Sequence, residues 1–189
     1  MYIRFADLND FCTMHEILEY YIKSTAVLFT DVVPNFDTFK DDLLTIMKEY
    51  PVLVAENNGE VVAFAYARRV HDGKAYDFTV ESTIYVKKEF VGNGIGTELY
   101  DKLEYILIKQ NVVSINAYIA VTDENDPYLD NKSKIFHEKH GFVQTAYFKY
   151  WGYKFNKWYD SIWMTKKINN ISLPAKKFIP INKLSDLTH

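Results

Sequence analysis

The chain has 189 residues, 48% of them hydrophobic, with 22 Lys plus Arg against 25 Asp plus Glu. That is enough chain for one core without disulfide or metal staples, and the composition excludes collagen-like, low-complexity and disordered chains. A net charge of −3 makes no electrostatic case for nucleic acid, no apolar run is long enough to span a membrane, and the lone Cys12 can neither pair within the chain nor build a zinc site.

Tyr2 to Phe5 reads as a first strand. Asp7 to Asp10 supplies N-cap chemistry for a helix carrying Phe11, Met14, Leu18 and Tyr21 at helical spacing, ending near Lys23 or Ser24. Asp37 caps a second helix through about Tyr50, with Phe39, Leu43 and Met47 on one face, and Pro51 stops it. Val52 to Glu56 and Val61 to Arg69 form a hairpin around Asn57-Asn58-Gly59-Glu60, because Asn-Gly tolerates positive φ. Thr79 to Val86 is a strand of β-formers. A glycine loop over Phe90 to Gly96 leads into a helix marked by Ile95, Leu99, Leu103 and Ile106. Ser114 to Thr122 alternates, with Ile115, Ala117, Ile119 and Val121 on one face. Asn131 to His140 is a helix closed by Gly141. Phe142 to Trp151 and Trp158 to Lys166 are two more strands around a loop that starts at Gly152. The pattern then decays, so 1–168 reads as one domain and 169–189 as a tail, ordered only if it docks. Antiparallel stretches plus one strand–glycine loop–helix unit indicate a mixed α/β sheet. The start has acidic residues early and no apolar segment, so it does not read as a signal peptide, and the expected compartment is the cytoplasm.

The glycines carry the chemistry. Gly92, Gly94 and Gly96 fall within five residues, after a strand and at the start of a helix. Such a loop lets backbone N–H groups converge on a phosphate; it is also compatible with a plain tight turn. Gly96-Thr97-Glu98 lacks the lysine of a nucleotide-triphosphate loop. The pattern GxGxG is not the dinucleotide fingerprint GxGxxG either.

Here the sequence resembles the GNAT acetyltransferases. Their strand–loop–helix carries (Gln/Arg)-x-x-Gly-x-(Gly/Ala), and Gly94-Ile95-Gly96 match it, with Val91 where Gln or Arg is usual. Four further stretches resemble the phosphinothricin acetyltransferase branch of small amino-acid acyltransferases. They are Glu81-Ser82-Thr83-Ile84-Tyr85-Val86, His137-Glu138-Lys139-His140-Gly141-Phe142, Gly152-Tyr153-Lys154 with Trp158-Tyr159-Asp160, and Tyr21 with Ser24 to Phe29. The resemblance covers roughly residues 1–167. It implies a mostly antiparallel central sheet, helices on both faces and a splayed acetyl-CoA cleft. Acetyl-CoA would be held by Ile84, Tyr85, Val86, Val91, Gly92, Asn93, Gly94, Ile95, Gly96 and Thr97, together with Asn131 and Ser133. Asn125, Asp130 and Asn131 all compete for one family Asn position.

From spacing alone Glu81 is a strand-end carboxylate in a salt bridge; the resemblance makes it the base that takes a proton from the acceptor amine. His137 stands where many members have a tyrosine near the cofactor sulfur, which implies a proton donor to the leaving thiolate; its alternative is a surface or capping histidine. Backbone N–H groups near Tyr85 and Val86 are the implied oxyanion donors. Phe29, Tyr153, Phe155, Trp158 and Tyr159 form the implied acceptor rim, with Arg68 or Lys154 for an acceptor carboxylate. His137 and His140 lack a third ligand, so no metal is expected.

The expected activity is acetyl transfer from acetyl-CoA to a small amine, an amino acid or an analogue such as phosphinothricin or methionine sulfoximine or sulfone. The alternatives are another amine (a protein N-terminus, a polyamine or an aminoglycoside) and a non-catalytic acyl-CoA-binding module. A homodimer is expected, with no nucleic-acid or membrane partner.

Overall fold

The computed structural model describes residues 1–184. Strand β1 (Tyr2–Phe5) is followed by helices α1 (Phe11–Ser24) and α2 (Phe36–Ile46). Next come β2 (Val52–Asn57), β3 (Glu60–Arg69), β4 (Thr79–Val86), α3 (Ile95–Lys109) and β5 (Ser114–Val121). Helix α4 (Lys132–Lys139) and strands β6 (Val143–Lys154) and β7 (Lys157–Lys167) complete the domain. The strands form one seven-stranded sheet in the order β1-β2-β3-β4-β5-β7-β6. Among the described residues, β4 and β5 are the one parallel pair of neighbours. Parallel neighbours need a crossover, and α3 with its glycine loop supplies it. Helix α3 packs on one face over β2 and β3, and α1 and α2 cover the other face. The expected mixed, mostly antiparallel sheet with helices on both faces is what forms.

Local chemistry explains most boundaries. Asn58 and Gly59 take φ of 52° and 83°, the paired left-handed turn that a tight hairpin needs. Ala63, Ala65 and Ala67 are small and fully buried, and α3 lays Leu99, Leu103, Ile106 and Leu107 into the same core. Shortening a buried leucine such as Leu103 to alanine costs about 2–5 kcal/mol in cores of this kind.

Several boundaries differ from the sequence reading. Asn35, not Asp37, caps α2: its Oδ1 accepts the Thr38 N–H at 2.9 Å. That helix ends at Ile46, and the chain then turns so that Tyr50 enters the core. Asp10 starts α1 without capping it through its side chain. Its carboxylate takes both Arg4 guanidinium nitrogens, at 2.6 and 2.8 Å. The last hairpin turns at Phe155 and Asn156, with φ of 49° and 59°, so Gly152 lies inside β6 rather than in a loop. Its missing side chain has a use: a Cβ there would sit 2.2 Å from the Phe29 ring.

The tail docks over its described part. The Phe178 ring lies 5.2 Å from Tyr50, and Ile181 and Leu184 pack on the main core. Gln110 Nε2 donates to the Glu49 carbonyl at 2.6 Å and to the Ile179 carbonyl at 2.9 Å. This anchor is at the C-terminal end of α3, about 22 Å of helix from the glycine loop. Residues 185–189 of the tail lie outside the described residues.

Candidate functional site

Strands β4 and β5 pair over three positions only: Thr79 with Ser114, Val80 with Ile115, and Glu81 with Asn116. Beyond Glu81 they part. Side chains take up the polar groups that the ladder abandons at that vertex. Asn116 Nδ2 donates to the Val80 carbonyl at 3.1 Å. Asn116 Oδ1 accepts from Trp163 Nε1 at 3.0 Å and from Thr165 Oγ1 at 2.7 Å. Ser82 Oγ shares a hydrogen bond with the buried Tyr100 hydroxyl at 2.8 Å. A buried polar group left unpaired would cost about 1–3 kcal/mol, so these contacts hold the strands apart without penalty.

The phase of the β3–β4 ladder decides which β4 groups face the opening. Lys87 N donates to Val62 O and Val70 N to Thr79 O. With Arg68 opposite Glu81 and Phe64 opposite Tyr85, the odd-numbered residues of β4 exchange hydrogen bonds with β3. The N–H and C=O groups of Ser82, Ile84 and Val86 therefore point into the gap. Tyr85, expected among the cofactor groups, directs its backbone to β3, and its ring is buried against Phe64 and Tyr21. The Tyr21 hydroxyl donates to the gap-facing Val86 carbonyl at 2.7 Å.

The glycine loop closes one end of this gap. Gly92 and Gly94 take φ of 90° and 81°, conformations that cost a side-chain-bearing residue energy. Gly94 is the N-cap of α3, so the first N–H groups of the helix open toward the loop. Gly96 matters for a second reason: a Cβ there would meet the Phe136 ring of α4 at 3.4 Å. Val91 is exposed beside the loop and adds no polar group. An unpaired strand edge leading to an open helix N-terminus suits a long amide-bearing chain that ends in phosphates.

A family model described as an acetyltransferase (GNAT) domain matches residues 3–163. The chain belongs to the GNAT acetyltransferase family. This GNAT chain is 34% identical over 158 residues to phosphinothricin N-acetyltransferase of Streptomyces viridochromogenes, covering 84% of this chain and 82% of that one. It is 27% identical over 191 aligned positions to the L-methionine sulfoximine/L-methionine sulfone acetyltransferase of Salmonella typhimurium, covering 92% and 98%. A GNAT phosphinothricin acetyltransferase from Sinorhizobium meliloti, solved with acetyl-CoA, superposes with a TM-score of 0.81 at 26% identity, covering 88% and 87%. The protein is thus an acetyl-CoA-dependent N-acetyltransferase, and the gap and the glycine cradle fit that co-substrate. No group of three or more His, Cys, Asp and Glu able to hold a metal occurs among the described residues.

The GNAT site keeps some of the expected residues together. Glu81 projects on the α1–α2 face at the vertex, its side chain 23% exposed, with Arg68 across the ladder at 3.8 Å. Phe29 lies against Gly152 and stacks near Tyr159 at 6.2 Å. Asn131 sits at the N-cap of α4, but its amide is spent on the Thr122 backbone, donating at 2.8 Å and accepting at 3.3 Å. Ser133 offers its carbonyl to His137.

Other expected residues are placed elsewhere. His137 is buried among Phe136, Phe142 and Tyr100. Its Nδ1 is 2.8 Å from the Ser133 carbonyl, which can only accept, so Nδ1 carries the proton and the neutral ring leaves Nε2 bare. Burial pushes its pKa down to about 4. A ring that is neutral, with its one proton already given to a carbonyl, is poorly suited to protonate a thiolate. Lys154 is 7% exposed, and its ammonium donates to the Ile22 and Leu28 carbonyls. Burial also lowers its pKa. It ties the end of α1 to β6 and is not available to an acceptor carboxylate. The Tyr153 and Trp158 rings pack against each other at a tilt, centroids 5.2 Å apart. They alternate with Gly152 and Tyr159 and so lie on the sheet face opposite Glu81, exposed at 54% and 56%.

Strand parity brings up residues that the sequence reading missed. On β5 the buried set Ile115, Ala117 and Ile119 faces α3, so Asn116 and Tyr118 face the Glu81 side. Trp163 lies opposite Tyr118, and Tyr66 opposite Thr83. The alternation of Ser114 to Val121 carried that signal for β5, but only the strand order shows what stands beside it.

Proposed function

We propose that the acceptor is a small amino acid or amino-acid analogue, bound on the α1–α2 face of the opening with its amine at Glu81. The observation that carries this is the Glu81 carboxylate at the vertex with the Arg68 guanidinium beside it. A carboxylate and a guanidinium side by side complement the ammonium and the carboxylate of one zwitterion. The printed activities of the relatives, on phosphinothricin and on methionine sulfoximine or sulfone, support the same class.

In this reading acetyl-CoA, when bound, supplies an activated thioester carbonyl. Glu81 takes the ammonium proton, directly or through water, so that the amine is neutral when it attacks. The gap-facing N–H of Val86 serves the oxygen on which charge develops. The N–H groups of Gly94, Ile95 and Gly96 hold the pyrophosphate, while that of Thr97 is spent on the Gly94 carbonyl at 3.0 Å; the anchor fixes how far along β4 the acetyl end lies. Arg68 orients the acceptor carboxylate.

We further propose a cytoplasmic homodimer. The lone Cys12 and the dependence on acetyl-CoA support that compartment. For the dimer, β6 is the longer of the two edge strands of the sheet and exposes Val143, Tyr147, Tyr150, Trp151 and Tyr153. Light scattering on the eluted protein tests this: twice the 22.2 kDa chain mass is expected. The acceptor reading is tested by thiol release from acetyl-CoA across amino acids, polyamines and aminoglycosides. Amino acids should turn over fastest; turnover of polyamines or aminoglycosides alone would overturn it.

A further inference from the structure

The Tyr118 hydroxyl accepts a hydrogen bond from a buried side chain. Ser161 Oγ, fully buried, donates to it at 2.7 Å. Among the described residues no acceptor takes the proton of Tyr118 itself. The phenol thus receives one hydrogen bond and keeps its own O–H to give. Incoming donors polarise a hydroxyl and strengthen the bond it donates.

Its position gives that proton a use. Tyr118 is two residues beyond Asn116 on β5, on the same face as Glu81 and about 7 Å further along the arm. Trp163 flanks it, ring centroids 6.0 Å apart, and the Asn116 amide pins the indole. Arg68 lies on the other side of Glu81, on β3. An amino acid with its amine at Glu81 and its carboxylate toward Arg68 sends its side chain toward Tyr118.

We propose that Tyr118 is a specificity-determining residue: its hydroxyl donates to an oxygen carried by the acceptor's side chain, a sulfone, sulfoximine or phosphinate oxygen. Trp163 lines the apolar remainder. The proposal rests on the acceptor reading above. A thioether offers no such oxygen, and a site built to hydrogen-bond one rejects the analogue lacking it.

The test compares L-methionine sulfone with L-methionine, which share one skeleton. Wild type should favour the sulfone by roughly tenfold or more in kcat/KM. Tyr118→Phe should shrink that ratio to below about threefold. Most of the change should come through the KM of the sulfone, with the KM for acetyl-CoA unchanged. Stabilisation by acetyl-CoA reports that the variant is folded. A wild type without the preference, or a Tyr118→Phe enzyme that keeps it, overturns the proposal while leaving the acceptor reading intact. Transfer to neither compound or to any other amino acid, with acetyl-CoA still stabilising the protein, overturns both.

Discussion

Glu81 and Asn116 are the last residues paired across β4 and β5 before the two strands separate. One supplies a carboxylate at the vertex, and the other holds the vertex with its side-chain amide. Asn116 is 5% exposed and bonds Val80, Trp163 and Thr165. Asn116→Ala leaves those groups unpaired and should cost about 2 kcal/mol. Denaturant melts check the stability. Transfer should fall as well, because the geometry around Glu81 loosens.

The buried His137 makes a pH prediction. Its folded pKa, about 4, lies below the ordinary histidine value of 6.5. Between those values the unfolded chain binds a proton that the folded chain refuses, so stability rises with pH across that window. The contribution is complete above about pH 6.5. It declines as pH falls toward 4, and the full loss is about 3 kcal/mol. His137→Asn should remove that part of the slope, seen by urea melts of both proteins from pH 7 to about pH 4. Identical slopes would contradict the assignment.

Lys154 is a structural cation, and its replacement separates that role from an acceptor role. Lys154→Met keeps the apolar stem and strips the hydrogen bonds to Ile22 and Leu28. A loss of about 2 kcal/mol in stability is expected. The KM for a carboxylate-bearing acceptor should change less than it does in Arg68→Ala, where roughly a tenfold rise is expected.

Gly152→Ala drives a Cβ into the Phe29 ring. Overpacking of this kind costs about 1–3 kcal/mol and displaces the ring from Tyr159. A lowered melting temperature checks it. Restoration by a second change, Phe29→Leu, would show that the clash is the cause.

Much of this architecture was legible in the chain. The Asn58-Gly59 turn, the alternation of Ser114 to Val121 and the glycines before Ile95 are local signals, and each formed where expected. Tyr118 was not legible, because its neighbour Glu81 is set by strand order and by the place where two strands part. Nothing near Tyr118 in sequence encodes either. Lys154 and His137 misled for a related reason. Their family positions were recognisable, but the carbonyls of Ile22, Leu28 and Ser133 that occupy their polar atoms come from backbone folded against them. The Phe155-Asn156 turn lacked the usual glycine, so the hairpin read shorter than it is.

The proposed mechanism turns on Glu81 as the base at the mouth of the acetyl-CoA cleft. The most direct test is the rate of acetyl transfer by Glu81→Gln with acetyl-CoA saturating. The amide fills the same space and cannot take the proton. A fall of about 10²–10⁴-fold in kcat/KM for the amino-acid acceptor is expected, with acetyl-CoA affinity unchanged. Transfer at the wild-type rate across pH would contradict it.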